Sequence, residues 1–339
     1  MRTYHIPIFV PHKGCPHDCV FCNQRHITGH TADTTADDVV RIIEENLSTI
    51  SGEYYAEAAF FGGSFTGIDI DKQTELLEAA YPYISDGSLT GMRCSTRPDY
   101  IDERILTNLK KYRMSCIELG VQSTDPEVLA LSRRGHSYDD VVRASELIKS
   151  YDIELGLQMM LGLPGDNYDK MIKTARDLIS LKPSCVRLYP TLVVPDTDLY
   201  IMHEQGTYTP LTTEETVEAL SEIIPMFERE NISIIRVGLQ TTDDINENTV
   251  KGPYHPAVRE LAEGRIIRRL IEHNLKTECN DIKIICNPGR VSQVIGHQKC
   301  NKLYFKEKYN LNLKVIADKS VDYNKLKICD KIIEIYYEV

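Results

Sequence analysis

Three cysteines, Cys15, Cys19 and Cys22, stand in Gly14-Cys15-Pro16-His17-Asp18-Cys19-Val20-Phe21-Cys22-Asn23-Gln24, a Cys-x3-Cys-x2-Cys spacing. Thiolates this close can hold three irons of a cubane 4Fe-4S cluster and leave the fourth iron open to a substrate or cofactor. With His12, His17 or His26 as a fourth ligand, the same thiolates would instead close a tetrahedral structural zinc site. The other seven cysteines, Cys94, Cys116, Cys185, Cys279, Cys286, Cys300 and Cys329, are scattered, and each reads as a small buried hydrophobe. An auxiliary cluster on Cys279, Cys286, Cys300 and Cys329 would have to be assembled from long, irregular spacings.

Such a loop acts only through the elements that hold it. Short apolar or β-branched runs predict strands at Tyr4 to Val10, Glu57 to Phe61, Met92 to Arg97, Ser115 to Val121, Ile153 to Met160, Ser184 to Tyr189 and Ile232 to Val237. Amphipathic segments alternate with them. The first, Ala36 to Ile50, places Val39, Ile43, Leu47 and Ile50 on one face behind a Thr35-x-x-Asp38 capping pattern. Further helices are expected at about Ile70 to Ile84, Asp102 to Tyr112, Tyr138 to Ser150, Tyr168 to Leu181 and Thr213 to Glu230. Six or seven βα units with right-handed crossovers imply an α/β fold with a parallel sheet, a complete or partial TIM-type barrel. The unusual residues all follow strands: the cysteines the first, Gly62-Gly63-Ser64-Phe65 the second, Ser95-Thr96-Arg97 the third, Gln122-Ser123 the fourth, Gly162-Leu163-Pro164-Gly165 the fifth and Tyr189-Pro190 the sixth. A barrel gathers such strand ends around one pocket.

The three cysteines, with Phe21 before the last, resemble the radical S-adenosylmethionine (SAM) superfamily. From about Tyr4 to Glu230 the chain is similar to the radical SAM domain of the catalytic subunit of Elongator, a tRNA-modifying enzyme, and its bacterial relatives. The matching segments are Ser95 to Ile101, Glu118 to Ser123, Arg133 to His136, Met159 to Gly165 and Leu188 to Val193. The resemblance implies a partial TIM-type (β/α)6 radical SAM barrel with a 4Fe-4S cluster on Cys15, Cys19 and Cys22. Its open iron would chelate the amino and carboxylate groups of SAM, and reductive cleavage would yield methionine and a 5'-deoxyadenosyl radical. It further implies that Gly62 and Gly63, followed by Ser64, let the backbone approach SAM, and that Gln122 and Arg134 contact its ribose and carboxylate. Gly162 to Gly165 would form the turn beneath adenine. Ser95 stands where the Elongator relatives carry Glu, and Gln158 where they carry His; both should face the cofactor pocket. Arg187 and Tyr189, ending the sixth strand, are the candidate catalytic residues in contact with substrate. Each residue also has an ordinary structural alternative, such as a glycine turn or a rim arginine.

The composition excludes several classes. With 339 residues, 42% hydrophobic and 26% charged, the chain is that of an ordinary globular protein and not a disordered or low-complexity one. It has no apolar run long enough for a membrane span, and Met1 to Gly14 lacks the unbroken apolar stretch of a signal peptide, so a cytoplasmic location without membrane partners is expected. Lys and Arg number 39 against 50 Asp and Glu, giving a net charge of -11 and no general attraction to phosphate backbones. Residues 271 to 339 nevertheless hold 12 basic and 9 acidic residues, net +3, leaving 27 and 41, net -14, for residues 1 to 270. That shift divides the chain into a barrel domain, 1-265, and a small C-terminal α/β domain, 270-339, structural or RNA-docking. The tail is expected to run strand (Asp281 to Cys286), turn, helix (Ser292 to about Tyr309), strand (Leu313 to Ala317). Val294 to Lys299 faintly resembles the glycine loop of KH-type RNA-binding modules, and no room is expected for the acetyltransferase-like domain of Elongator. Lys251 to Ala257 is expected to return across the barrel mouth.

By resemblance, then, the expected activity is reductive SAM cleavage for modification of tRNA or another RNA, with a reducing protein such as flavodoxin or ferredoxin as partner. The alternatives are a radical SAM oxidoreductase or transferase acting on a small molecule, and a noncatalytic metal-binding protein associated with RNA.

Overall fold

The seven expected strands form one parallel sheet. The computed structural model describes residues 2–10, 18–22, 33–239, 245–246, 250–275, 281–329 and 331–336. The strands are β1 (Arg2–Val10), β2 (Tyr54–Gly62), β3 (Gly91–Thr96), β4 (Met114–Gln122), β5 (Glu154–Leu161), β6 (Cys185–Pro190) and β7 (Ser233–Val237), hydrogen-bonded in that order. The sheet curls into a partial TIM-type barrel with β1 and β7 as its open edges. The seventh strand extends the six-unit barrel.

The helices form where capping and periodicity agree. In α1 (Ala36–Thr49), Asp38 donates its backbone N–H to Thr35 Oγ1 at 3.2 Å, while the Asp38 carboxylate accepts from the Thr35 N–H at 3.1 Å. This reciprocal box satisfies two otherwise orphaned donors. Val39 and Ile43 are buried on the expected face. The following helices are α2 (Ile70–Ser85), α3 (Glu103–Lys111), α4 (Pro126–Leu131), α5 (Tyr138–Ser150), α6 (Tyr168–Ser180), α7 (Asp198–Glu204) and α8 (Thr213–Arg229). The short α4 and α7 escape a periodicity argument because two turns or fewer are too brief to show one.

Strand side chains alternate between two environments. In β6, Val186 and Leu188 join the apolar core, whereas Arg187 and Tyr189 face the concave side. Each apolar side chain fully removed from water contributes about 1.5–3 kcal/mol, so the register of every strand is fixed by this core. The concave side is free to carry polar groups.

After the barrel, α9 (Val258–His273) spans residues 265 to 270, the interval where the charge changes sign. Beyond it lie β8 (Asp281–Cys286), α10 (Val291–Ile295), α11 (Cys300–Tyr309), β9 (Asn312–Ala317), β10 (Lys325–Ile328) and β11 (Lys331–Glu334). They form a second sheet in the order β11-β10-β8-β9, with β8 and β9 parallel. The helix expected from Ser292 to Tyr309 is broken at Gly296, whose φ of +79° and ψ of 152° suit glycine alone. A Cβ there would lie 2.5 Å from Cys300 Sγ and 2.8 Å from the Asn301 nitrogen. The four-residue β10 and β11 carry too little pattern to be read in advance. Ile266, Ile267 and Leu270 of α9 belong to the same apolar cluster as Ile284, Phe305 and Leu326. Buried Arg290, 2% exposed, donates to Glu263 of α9 at 3.0 Å and to the Tyr336 hydroxyl at 2.9 Å.

Candidate active site

Two of the three clustered cysteines, Cys19 and Cys22, lie within the described residues; Cys15, His12, His17 and His26 lie outside them. The stretch between Cys19 and Cys22 is fastened to the barrel from two sides. Val20 donates its N–H to the Ser132 carbonyl at 3.3 Å and accepts at 2.7 Å from the N–H of Leu199, in α7. Its side chain packs with Val193, Leu199 and Tyr208. The Cys22 N–H donates to the Cys19 carbonyl at 2.9 Å, closing a turn that puts both thiols at one cavity.

That cavity lies over the C-terminal strand ends. Cys19, Phe21 and Cys22 line it with Gly62, Gly63 and Ser64 from the end of β2. Ser95, Thr96 and Arg97 enter from β3, Gly120 and Gln122 from β4, Gln158 from β5, and Arg134 from the segment between α4 and α5. Every residue expected around the cofactor is therefore present except Gly162 and Cys15, which lies outside the described residues. Gly162 uses both backbone groups elsewhere: its N–H donates to Asp166 at 3.0 Å, and its carbonyl accepts from the Tyr208 hydroxyl at 2.6 Å. Burial pushes the Asp166 carboxyl up to about 6, against the opposing pull of the backbone N–H donors of Gly162, Asn167 and Leu163.

Arg134 and Gln122 bring polar atoms into this buried place. Arg134 Nη1 donates to Cys19 Sγ at 3.3 Å, and its Nη2 donates to the Gly120 carbonyl. Its Nε and Gln122 Oε1 are buried without a hydrogen-bond partner. A Cβ at Gly120 would stand 3.1 Å from Gln122 Nε2 and 3.4 Å from Arg134 Nη2, so a side chain there would crowd both. Arg97 is paired with Asp99 through two 2.9 Å contacts and donates to the Arg134 carbonyl at 2.5 Å, fixing the segment that carries Arg134. The sequence puts Thr96 and Arg97 at a strand end turned toward the pocket and Gly120 in a matching segment, but it gives none of the three a role.

Below the pocket the concave face is ionic. Glu118, 1% exposed, accepts from Arg93 at 2.9 Å and from both Nε and Nη2 of Arg187, the latter at 3.0 Å. Burial alone would raise its pKa, yet these two guanidiniums hold it below the ordinary carboxylate value. Arg93 also pairs with Glu57 at 2.7 Å. The two departures from the Elongator pattern meet here: Gln158 Nε2 donates to Ser95 Oγ at 3.2 Å and to Glu118 at 3.4 Å. Arg187 is thus committed to Glu118, with its guanidinium 5.1 Å from the centre of the Phe61 ring. Arg187 and Tyr189 stand on the concave face outside the pocket lining.

The sequence matches the radical SAM superfamily over residues 9–178 and the radical SAM C-terminal domain over residues 183–268. The chain belongs to the radical SAM superfamily. It is 30% identical to the tRNA uridine(34) acetyltransferase of Methanocaldococcus jannaschii, over 66% of this chain and 43% of that protein. It is 28% identical to human Elongator complex protein 3, over 59% of this chain and 36% of that one. The chain thus spans less than half the length of these two relatives. Among solved structures, the archaeal Methanocaldococcus infernus Elp3 with an N-terminal deletion superposes with a TM-score of 0.62 at 20% identity, covering 82% of this chain and 66% of that one. Native anSMEcpe with bound AdoMet and Cp18Cys peptide superposes with a TM-score of 0.52 at 18% identity, over 68% and 63%. Both share the fold.

For a radical SAM protein the pocket has a fitting donor set. Two thiols supply soft ligands, an orphaned guanidinium nitrogen suits a carboxylate, and an orphaned amide oxygen suits a hydroxyl or amino group. Gly62, at φ +112°, bends its backbone where any Cβ would run into the Phe9 ring. A larger cleft of 570 Å³, against 120 Å³ for the pocket, is lined by Glu228, residues of α9 and the C-terminal segment, but its Arg290 and Arg259 already pair with Glu263. Among the described residues no three His, Cys, Asp or Glu side chains group as a metal site, and Cys279 of the possible auxiliary set lies outside them. His255 packs edge-on against His297, ring centres 5.2 Å apart. No described helix is long and apolar enough to cross a membrane.

Proposed function

We propose that this protein binds a 4Fe-4S cluster through Cys15, Cys19 and Cys22, cleaves SAM reductively beside it, and uses the resulting radical to modify tRNA or another RNA. The observation that carries the reading is the convergence of Cys19, Cys22, the Gly62-Gly63 turn and the unpartnered atoms of Gln122 and Arg134 on one pocket. The SAM assignment is supported by anSMEcpe, which shares the fold and holds AdoMet. The RNA assignment is supported by relatives named as tRNA uridine(34) acetyltransferases.

When bound, the cluster and SAM together supply a 5'-deoxyadenosyl radical able to abstract hydrogen. The chain does the rest. Arg134 Nε would meet the SAM carboxylate while its Nη1 holds Cys19 in place. Gln122 Oε1 would accept from the ribose, and the backbone at Gly62 and Gly63 would take the amino group. The buried Glu118–Arg93–Arg187 network keeps Gln158 and Ser95 oriented. Phe21 shields the pocket, its ring centre 5.9 Å from the Arg134 guanidinium carbon. A flavodoxin or ferredoxin supplies the electron, and the reaction takes place in the cytoplasm.

The test is anaerobic reconstitution. Iron uptake should be lost when Cys15, Cys19 and Cys22 are replaced by Ala. The reduced wild-type cluster should change its electron paramagnetic resonance spectrum on addition of SAM and release 5'-deoxyadenosine. Arg134→Ala should weaken SAM binding by about tenfold or more, since a hydrogen bond to a charged group outweighs a neutral one. One equivalent of zinc, no iron and no response to SAM would refute the proposal. Product formation from a small-molecule pool but not from RNA would replace its substrate half.

A further inference from the structure

A row of in-register residues leads out of the pocket. Gly120 pairs with Gln158, Gln158 with Arg187, and Arg187 with Arg236 on β7. Paired residues on neighbouring parallel strands point to the same side of a sheet. The row therefore starts at Gly120 and Gln158 in the pocket lining and ends at Arg236 on the concave side of an edge strand. A register shift between Val186 and Arg187 sets this alignment by giving β7 one extra residue, Ile235.

The two arginines at the end of the row have different fates. Arg187 is bound to Glu118 by two nitrogens and packed over Phe61. Arg236 is half-buried and has no ion pair among the described residues. The Tyr189 phenol hydrogen-bonds Arg187 and feels the charge of Arg236 only at longer range. A partly desolvated cation beside a second cation is unfavourable unless an anion meets it. The carboxylates of the concave network do not: Glu118 serves Arg93 and Arg187, and Glu57 serves Arg93 and His5. A guanidinium is also suited to a phosphate, which it can grip with two parallel N–H donors.

We propose that Arg236 anchors a phosphate of the substrate RNA next to the SAM pocket, so that Arg236 and not Arg187 is the residue that meets the RNA backbone. This rests on the RNA reading above. The other oxyanion of the same chemistry within the barrel is the SAM carboxylate, and the experiment separates the two.

The reconstituted 339-residue chain and its Arg236→Gln and Arg236→Lys variants would be titrated with uridine 5'-monophosphate, uridine, bulk tRNA and SAM. The wild type should bind the nucleotide more tightly than the nucleoside. Arg236→Gln should lower nucleotide affinity by about 10- to 100-fold, to the nucleoside level, and reduce the slope of log tRNA affinity against log salt by about one. Arg236→Lys should keep the slope, and SAM affinity should be unchanged in both variants. A fall in SAM affinity with unaltered nucleotide binding would give the arginine to SAM, and unchanged binding of every probe would leave it structural; either overturns the anchor. Equal binding of nucleotide and nucleoside by the wild type overturns it as well. If nucleotide binding depends on Arg236 but tRNA is not bound, the anchor stands and the RNA reading falls.

Discussion

His136 is buried two residues after the pocket-lining Arg134, in the Arg133-Arg134-Gly135-His136 segment. Burial, and then the nearby cations Arg134 and Arg97, push its pKa down from 6.5 to about 3. Between those values the unfolded chain binds a proton that the folded chain does not. Stability should therefore fall as pH drops from 6.5 toward 3, by up to about 1.4 kcal/mol per pH unit from this residue. His136→Gln removes the titration. Urea unfolding at pH 7, 6 and 5 should show the variant losing less stability on acidification than the wild type, and parallel pH profiles would count against a histidine held neutral. Glu118 faces the opposite demand, because it must stay charged for Arg93 and Arg187, and its lowered pKa keeps it so. Replacing it with Gln should cost about 3–5 kcal/mol by leaving the buried Arg187 guanidinium without a carboxylate and Arg93 with Glu57 alone, measured as a shift in the urea midpoint at pH 7.

The strand-to-loop transitions are the elements on which the site depends. β2 ends at Gly62, paired with Val10 at the end of β1. There the backbone takes φ +112°, and a Cβ would run into the Phe9 ring and stand 2.7 Å from the Val10 carbonyl oxygen. Gly62→Ala should therefore lose more than the roughly 1–3 kcal/mol of a strained backbone conformation, and SAM binding should weaken with it. Gly87→Ala makes the control, since Gly87 has φ +84° and a Cβ added to it would meet nothing within 4 Å. Thermal melts and SAM titrations of the two variants should separate; equal losses would show crowding at Gly62 to be unimportant.

At the scale of the molecule, the charge division leads us to propose a small C-terminal unit, residues 270-339, whose first duty is structural. The apolar face of α9 packs against α10, and the cluster that contains Ile266, Ile267 and Leu270 also contains Val294 and Phe305. Asn301 donates to the Gly264 carbonyl at 3.0 Å, and Arg229 of α8 donates to the Tyr336 carbonyl at 2.5 Å. Truncation after Leu275 would bare this face, and each fully buried aliphatic side chain returned to water costs about 1.5–3 kcal/mol. The shortened chain should unfold or aggregate, as read by near-ultraviolet circular dichroism and size-exclusion chromatography. A soluble fragment with an unchanged melting temperature and weaker tRNA binding would instead mark the tail as an RNA-docking module.

The alternation of short apolar runs with capped amphipathic segments was enough to locate all seven barrel strands and six of the barrel's helices, because burial on one face imposes a period that survives in one dimension. The clustered cysteines and the glycine pair were legible for a related reason: local spacing is itself what their chemistry requires. Tertiary structure decided what depends on residues far apart in sequence. Arg187 read as a candidate for substrate contact, yet Glu118, 69 positions earlier, claims its guanidinium. Arg97 gained its role by meeting the Arg134 carbonyl across 37 positions. Ser95 and Gln158, 63 positions apart, proved to be hydrogen-bonded to each other. Arg236 came level with the pocket only through a one-residue shift in strand pairing. Periodicity reveals which face a side chain takes; whether its charge is already spent depends on partners that only the closed sheet brings within reach.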